Sequence, residues 1–551
     1  MTEADISELR IENLDHLGIV AGICDRIGLV ELLDERLGTS PDELISSGQV
    51  VKAMILNGLG FVSAPMYLFS RFFEGKPTEH LLGEGIKPEH LNDDKIARVL
   101  EKLFDCGLTS LFVEISLRAA SREGVGTDRL HLDATSLSVH GRYGQAESEN
   151  QEEEEEEEPK PIHLTYGYSR DHRPDLKQFL VDLMVSGDGG VPLFLRVADG
   201  NESDAAVFAK LIGDYRAQSD FEALFVADAA LYNEENIKRL GTQMNYVSRV
   251  PQTIERAKEL LEALDDEELG FFDAQREGYR LAEVEARYAD FAQRWVVVES
   301  EGRARRGIEQ VERRIAHERT KATKALRELG RRPFNCERDA SEAAKKLAKS
   351  LRYHRLENIT IESEPYHEKP GRPRKEAMPA GYRYRVVAEL VGDEAEEVAR
   401  RKRRAGRFVL ATNVMDAQSL GAEEILETYL DQQVVERGFR FLKDPLFFTS
   451  SVFLKTPKRI AALAMVMGLC LLVYSLGERE VRLKLARSEA SIPDQKGKPT
   501  QRPTLRWVFQ SLQAVHLVIA GASKLIHGLT EEREHVLRFF SPECRRYYLL
   551  M

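Results

Sequence analysis

Over the first 125 residues, apolar positions recur three and four apart. Residues 17–37, 50–73 and 96–117 each carry this helical spacing. Asn92 is placed to cap a helix that starts near Asp93. No strand-like alternation interrupts the stretch, which predicts a small all-α domain. From Asp128 the period changes to two. Leu130, Leu132, Ala134 and Leu137 alternate with His131, Asp133 and Thr135, predicting a strand over 129–139. Residues 178–186 and 191–197 predict two more strands, and Gly187-Asp188-Gly189-Gly190 between them is a hairpin signal. A helix over about 203–217 follows, then a short apolar strand at 223–227, a helix at 233–240 and a strand at 244–250. Residues 251–405 abandon this alternation. They hold a charged helical stretch over about 303–351, a Pro/Arg-rich linker and strand candidates such as 382–391, and they predict an insertion. A strand at 408–412 returns the chain to the core. Residues 422–443 are strongly helical, and from Thr456 the chain is mostly helical. No internal repeat is present.

Composition narrows the class. Of the 551 residues, 42% are hydrophobic and 31% charged, which excludes a fully disordered chain; the length calls for several domains. The net charge of -13 argues against a nucleic-acid partner only until its distribution is seen. Seven glutamates form one run at 152–158, and the remaining residues carry only -6. Basic clusters occur at Arg303, Arg305, Arg306, Arg313 and Arg314, at 369–375 and at 401–404. Local positive surface, not the average, is what DNA requires. The five cysteines are scattered without a CxxC pair, which fits a reducing compartment and offers no zinc site. No secretory signal opens the chain. Residues 460–476 are apolar but shorter than the ~20 residues of a membrane span, and we expect a core helix there.

Three acids stand out by position. Asp133 lies in the middle of a strand, where a carboxylate is costly unless used, although an edge strand with an exposed face also accepts one. Asp228 directly follows Leu224-Phe225-Val226-Ala227, and the carboxyl ends of strands are where sites gather, although taken alone it is better explained by a turn or a helix cap. Glu436 sits in a helix, where glutamate is common. Around it, Tyr429, Gln432, Glu436 and Lys443 fall within about 60° of one another at about 100° per residue, and Arg440 extends the stripe. Val435, Phe439 and Leu442 lie on a flank that can pack into a core. A solvated face with a Glu436–Arg440 ion pair is the plainer explanation of the stripe.

Taken together these blocks resemble a known family. Tyr429-x2-Gln432-x3-Glu436-x6-Lys443 resembles the Tyr-x2-Arg-x3-Glu-x6-Lys signature of a large group of insertion-sequence DDE transposases. Leu132-Asp133-Ala134-Thr135 and Phe225-Val226-Ala227-Asp228-Ala229 resemble its two aspartate blocks. Phe408-Val409-Leu410-Ala411-Thr412-Asn413 resembles its strand before the glutamate helix. The segment from Tyr166-Gly167-Tyr168-Ser169 through Arg173-Pro174-Asp175 to Gly200-Asn201 and Asp204 is similar to the stretch between its first two acids. The strand and helix order of 129–250 is likewise that of the ribonuclease H-like fold. Gln432 departs from the pattern: glutamine donates a hydrogen bond to phosphate without bringing charge. We expect Arg440, one turn beyond Glu436, to supply the missing charge.

The resemblance implies an α/β protein with a ribonuclease H-like catalytic core, a mixed five-stranded sheet with helices, interrupted by a large insertion and flanked by all-α regions. The expected domains are 1–125, 126–250 and 406–480 for the core, 251–405 for the insertion and 481–551. The implied activity is phosphodiester hydrolysis at element ends, then transesterification of the freed 3′-hydroxyl into target DNA. It implies two Mg2+ ions (Mn2+ substituting), with Asp133 bridging them and Asp228 and Glu436 each holding one. Tyr429, Gln432, Arg440 and Lys443 are the expected phosphate-binding residues. The expected partner is DNA, engaged by a homodimer, with no membrane, in the cytoplasm and on the nucleoid. A nuclease of the same fold without strand transfer, or a decayed transposase acting as a DNA-binding protein, are the alternatives. Residues 1–125 are the candidate for end recognition, with an oligomerisation module as the other explanation. Gly371-Arg372-Pro373 within 369–375 resembles a minor-groove peptide, although a plain basic linker explains it better.

Overall fold

The computed structural model describes residues 9–61, 69–139, 159–167, 173–202, 212, 213, 215, 223–241, 243–263, 269–367, 378–392, 395–444 and 456–550. The glutamate run, the basic 369–375 segment and most of the predicted helix at 203–217 lie outside them. The chain divides into two units: 1–248 with 289–291 and 427–551, and 249–288 with 292–426.

The first unit opens with β1 (Leu9–Asn13), followed by helices α1 (Leu17–Arg26), α2 (Leu29–Leu37), α3 (Ser47–Gly58), α4 (Asp93–Asp105) and α5 (Leu108–Glu123). The predicted 17–37 helix is broken at Gly28, whose φ of 68° favours glycine. Asn92 caps α4 as its position predicts, accepting from the Lys95 N–H at 2.9 Å. The sheet follows: β2 (Arg129–Val139), β3 (Lys177–Ser186), β4 (Pro192–Ala198), β5 (Leu224–Ala227) and, after α6 (Glu234–Leu240), β6 (Tyr246–Arg249). Their order is β4-β3-β2-β5-β6. β2, β3 and β4 form an antiparallel meander, while β5 and β6 run parallel to β2. This is the mixed α/β architecture with a mixed sheet expected from the strand pattern.

The second unit contains β7 (Phe272–Asp273), β8 (Tyr279–Tyr288) and β9 (Phe291–Ser300), then the long α7 (Glu301–Arg331) and α8 (Glu337–Ser350). The predicted 303–351 helix is thus two helices, parted around Pro333, which cannot sit in a helix interior. β10 (His354–Tyr366) and β11 (Gly381–Gly392) form an antiparallel hairpin. Phe334, Ala340, Ala344 and Val386 make a small core with Leu329, Ile361 and Tyr384. After α9 (Ala395–Gly406), β12 (Arg407–Thr412) pairs antiparallel with β9. Its six residues are all buried.

Through α10 (Ala422–Leu430) the chain re-enters the first unit, which it completes with α11 (Gln433–Leu442), α12 (Pro457–Arg487), the β13 (Ile492–Pro493) and β14 (Pro499–Thr500) pair, α13 (Leu505–Ser511), β15 (His516–Ala520), β16 (Ser523–His527), α14 (Glu531–Leu537) and α15 (Pro542–Arg545). The most apolar 18-residue window of α12 has mean hydropathy 2.3, enough by length and composition to cross a membrane, yet 83% of that window is buried within the protein. α12 packs against α1, α3, α4, α5, α11 and β4 as a core helix. The expected all-α terminal regions need correction. β1 pairs antiparallel with β15, which pairs with β16, giving a three-stranded sheet from both ends of the chain. β1 escaped detection because Leu9 and Ile11 are exposed and its order comes from a partner some 500 positions away.

Candidate active site

Asp133 stands in β2, and its cross-strand neighbour in β3 is Leu183. On its other side β2 runs parallel to β5 with Leu132 opposite Ala227. Asp133 directly follows Leu132 and Asp228 directly follows Ala227, so each comes just past the last pair of this register. Both side chains are half-buried. Each carboxylate accepts a local backbone N–H: Ala134 to Asp133 at 2.8 Å, and Ala230 to Asp228 at 2.8 Å. Ser248 of β6 donates to the Asp228 carbonyl at 2.8 Å, fixing the strand end on which that aspartate rides.

The glutamate helix lies over the face to which Asp133 belongs. Cross-strand partners in an antiparallel pair share a face, so Leu183 and Asp133 do. Gly438 of α11 sits so close to Leu183 and Leu471 that a Cβ there would come within 3.2 Å of each. Val435, Phe439, Phe441 and Leu442 are buried, giving α11 its core-facing side. The sequence named Val435, Phe439 and Leu442 on this flank, but not Phe441, and gave no reason to notice Gly438, whose missing side chain sets the approach of helix to sheet.

Glu436 is 60% exposed and pairs with Arg440, itself 80% exposed, at 3.9 Å. This is the plainer arrangement foreseen for the stripe. Among the described residues, no group of three His, Cys, Asp or Glu side chains is gathered so as to hold a metal ion. Thus Asp133 and Asp228 each follow the last pair of the β2–β5 register, and Glu436 is not gathered with them among the described residues. The predicted continuous 422–443 helix is interrupted. α10 ends at Leu430, and three-residue hydrogen bonds (Gln432 N–H to Tyr429, Val434 N–H to Asp431) tighten the backbone before α11. Tyr429 therefore precedes the break, Gln432 lies within it as the residue that opens α11, and Glu436, Arg440 and the half-buried Lys443 follow it. An angle computed for one uninterrupted helix does not carry across that junction.

Two neighbours were not singled out from the sequence. Arg129, at the start of β2, donates to the Thr428 hydroxyl at 3.2 Å, tying the sheet to the segment that leads into the glutamate helix. His131 alternates onto the Asp133 face and is buried; burial, with the Arg129 charge adding, pushes its pKa down to about 4, so it is neutral near pH 7. Its alternation with Asp133 was visible, its burial was not.

The family model described as "Transposase DDE domain" matches residues 126–474, and the "Domain of unknown function (DUF4277)" matches 9–117. None of the curated proteins matches the chain. Among solved structures, the piggyBac transposase synaptic complex with hairpin DNA, determined by cryo-EM, is similar at 9% identity and a TM-score of 0.36, over 92% of this chain and 83% of that one. That likeness is too slight to bear on the mechanism. The domain match spans well over half of the chain, including all three acids and the glutamate helix: the chain belongs to the DDE transposase family and is a DNA transposase, an enzyme of DNA cleavage and strand transfer whose chemistry depends on divalent metal.

Proposed function

We propose that Asp133, Asp228 and Glu436 are the metal-holding acids of this transposase, set on a ribonuclease H-like core that 251–405 interrupts. The observation that supports this reading is the parallel β2–β5 register, whose last pair, Leu132 with Ala227, immediately precedes Asp133 and Asp228. The core is further supported by the strand order, an antiparallel meander followed by parallel strands on its inner edge. Neighbouring carboxylates repel each other unless a cation lies between them, and an all-oxygen donor pair fits Mg2+, with Mn2+ as a substitute. Glu436 fits as the third ligand once it leaves Arg440. That exposed pair is worth at most about 1 kcal/mol, so the exchange is cheap. When bound, a pair of such ions supplies an activated water and stabilises the leaving oxygen. The Ala134 and Ala230 amides hold the two aspartates in place. Arg440, released from Glu436, joins Tyr429, Gln432 and Lys443 on the phosphates beside the cut. These contacts position DNA without reading bases. Hydrolysis at the element end frees a 3′-hydroxyl, which then attacks target DNA. The chain acts in the cytoplasm and on the nucleoid, as a homodimer because two ends must be paired, with 1–125 as the candidate reader of the ends.

The test uses purified full-length protein and a plasmid carrying the element ends. Asp133→Asn, Asp228→Asn and Glu436→Gln are each expected to abolish Mg2+-dependent cleavage while end binding persists, and chelation of the metal should do the same to the unmodified protein. Cleavage retained by any one variant removes that residue from the set. A joined donor–target product separates this activity from that of a nuclease, which leaves only nicked donor.

A further inference from the structure

We propose that the cleft between α7 and residues 347–353, inside the second unit, binds the phosphate backbone of DNA; this rests on the transposase reading above. Gln310, Arg313, Arg314, His317 and Lys321 recur at helical spacing along one stripe of α7 and line a cavity of about 550 Å³. Arg313, Arg314, His317 and Lys321 are all exposed. Arg314, His317 and Lys321 make no ion pair among the described residues, and Arg313 makes only a long 3.7 Å contact with Glu309.

The acid in this cleft does not cancel that charge. Glu318 is turned into the wall, where its carboxylate accepts the backbone N–H groups of Arg352 (3.0 Å) and Tyr353 (2.7 Å) and faces His354 Nδ1 at 3.1 Å. On another side of α7, Glu312 is taken by Lys402 at 2.7 Å. The far wall is braced by Arg401, which lies 5.0 Å from the Tyr353 ring centroid and donates to the Arg352 carbonyl. Ala322, Ala325 and Leu347 give the cleft apolar patches. A positive stripe over an apolar floor matches a sugar–phosphate chain, with aliphatic surface for the sugars and cations for the phosphates. From Gln310 to Lys321 the helix advances roughly 16 Å, room for several consecutive phosphates of one strand. Since no base edge is addressed by such a stripe, the binding is independent of sequence.

The experiment is a salt titration of full-length protein on a random-sequence duplex, read by fluorescence anisotropy. The Arg314→Gln/Lys321→Gln variant is compared with Arg305→Gln/Arg319→Gln, which removes two cations from the opposite side of the same helix. Glutamine is as good a helix former and all four sites are exposed, so both variants should melt like the parent. Each phosphate contact adds about 0.9 to the slope of log K against log salt. The cleft variant should be shallower by about two, which makes its loss of affinity between about 50 and 200 mM salt roughly tenfold smaller than the parent's. The opposite-face variant should keep the parent's slope. In the unmodified protein, bound duplex should also slow modification of Lys321 by a lysine-selective reagent. An unchanged slope in the cleft variant, an equal fall in the control, or an unprotected Lys321 overturns the cleft. If the parent meanwhile binds and cleaves element ends, the transposase reading survives that result. A parent that neither binds nor cleaves sinks both.

Discussion

His16 is fully buried, its Nε2–H donating to the Leu59 carbonyl at 2.8 Å and its ring stacked on Phe509 at 4.3 Å between centroids. Its Nδ1 has no hydrogen-bond partner among the described residues, so protonation there would create a buried charge. Burial pushes its pKa down to about 4, as it does for His131. In the unfolded chain both titrate near 6.5. Between these values the unfolded state holds more protons, so stability is complete above about pH 6.5 and falls as pH drops towards about 4. Each site contributes on the order of 3 kcal/mol to that fall. Urea melts across this range should show the decline, and His16→Phe should flatten it while losing the Leu59 hydrogen bond. A decline equally steep in His16→Phe would mean that His16 is not its source.

Among the elements, α1 and α15 illustrate how close approach overrides propensity. Alanine in place of a helical glycine normally stabilises by up to about 1 kcal/mol. At Gly22 the new methyl would collide with the Cys544 backbone, which, unlike the tip of a side chain, has little room to yield. Gly22→Ala is therefore expected to destabilise by about 1–3 kcal/mol. Gly302→Ala in α7, with nothing within 4 Å of the new atom, should be neutral to slightly stabilising. Denaturant midpoints compare the two directly, and equal shifts would refute the steric argument. The break between α10 and α11 belongs to the same scale. It divides the polar stripe, with Tyr429 on α10, Gln432 at the junction, and Glu436, Arg440 and Lys443 on or just after α11.

In the first unit as a whole, the two ends of the chain are built into one another. β1 pairs with β15, Tyr548 donates to the Asp15 carbonyl at 2.7 Å, and Asp25 gathers Lys52, Arg546 and the Tyr547 hydroxyl at 2.6, 2.6 and 2.5 Å. Residues 9–117 are matched as a separate family domain, yet they are completed by the last 36 residues. Truncation before His516 should leave β1 unpaired and uncover the face of α1 that holds Gly22. Limited proteolysis is then expected to cut 9–61 much faster than in the full chain. Undiminished resistance there would show that the N-terminal helices stand alone.

Local periodicity by itself determined the strand order of 129–250, the capped helix at Asn92 and the buried α12, because each depends on neighbours a few residues away. It also marked Asp133, a carboxylate within an alternating strand, and Asp228, at the foot of an apolar one. What periodicity could not carry was pairing across long separations. β1 with β15, and β12 with β9, are decided by which edge is available, not by the residues of either strand alone. The placement of Asp133 and Asp228 just beyond the Leu132–Ala227 pair comes from a register between positions 95 apart. The sorting of charge on α7 followed the same rule. Its sequence mixes both signs, and only folding turns Glu318 into the wall and leaves the cations facing the cleft.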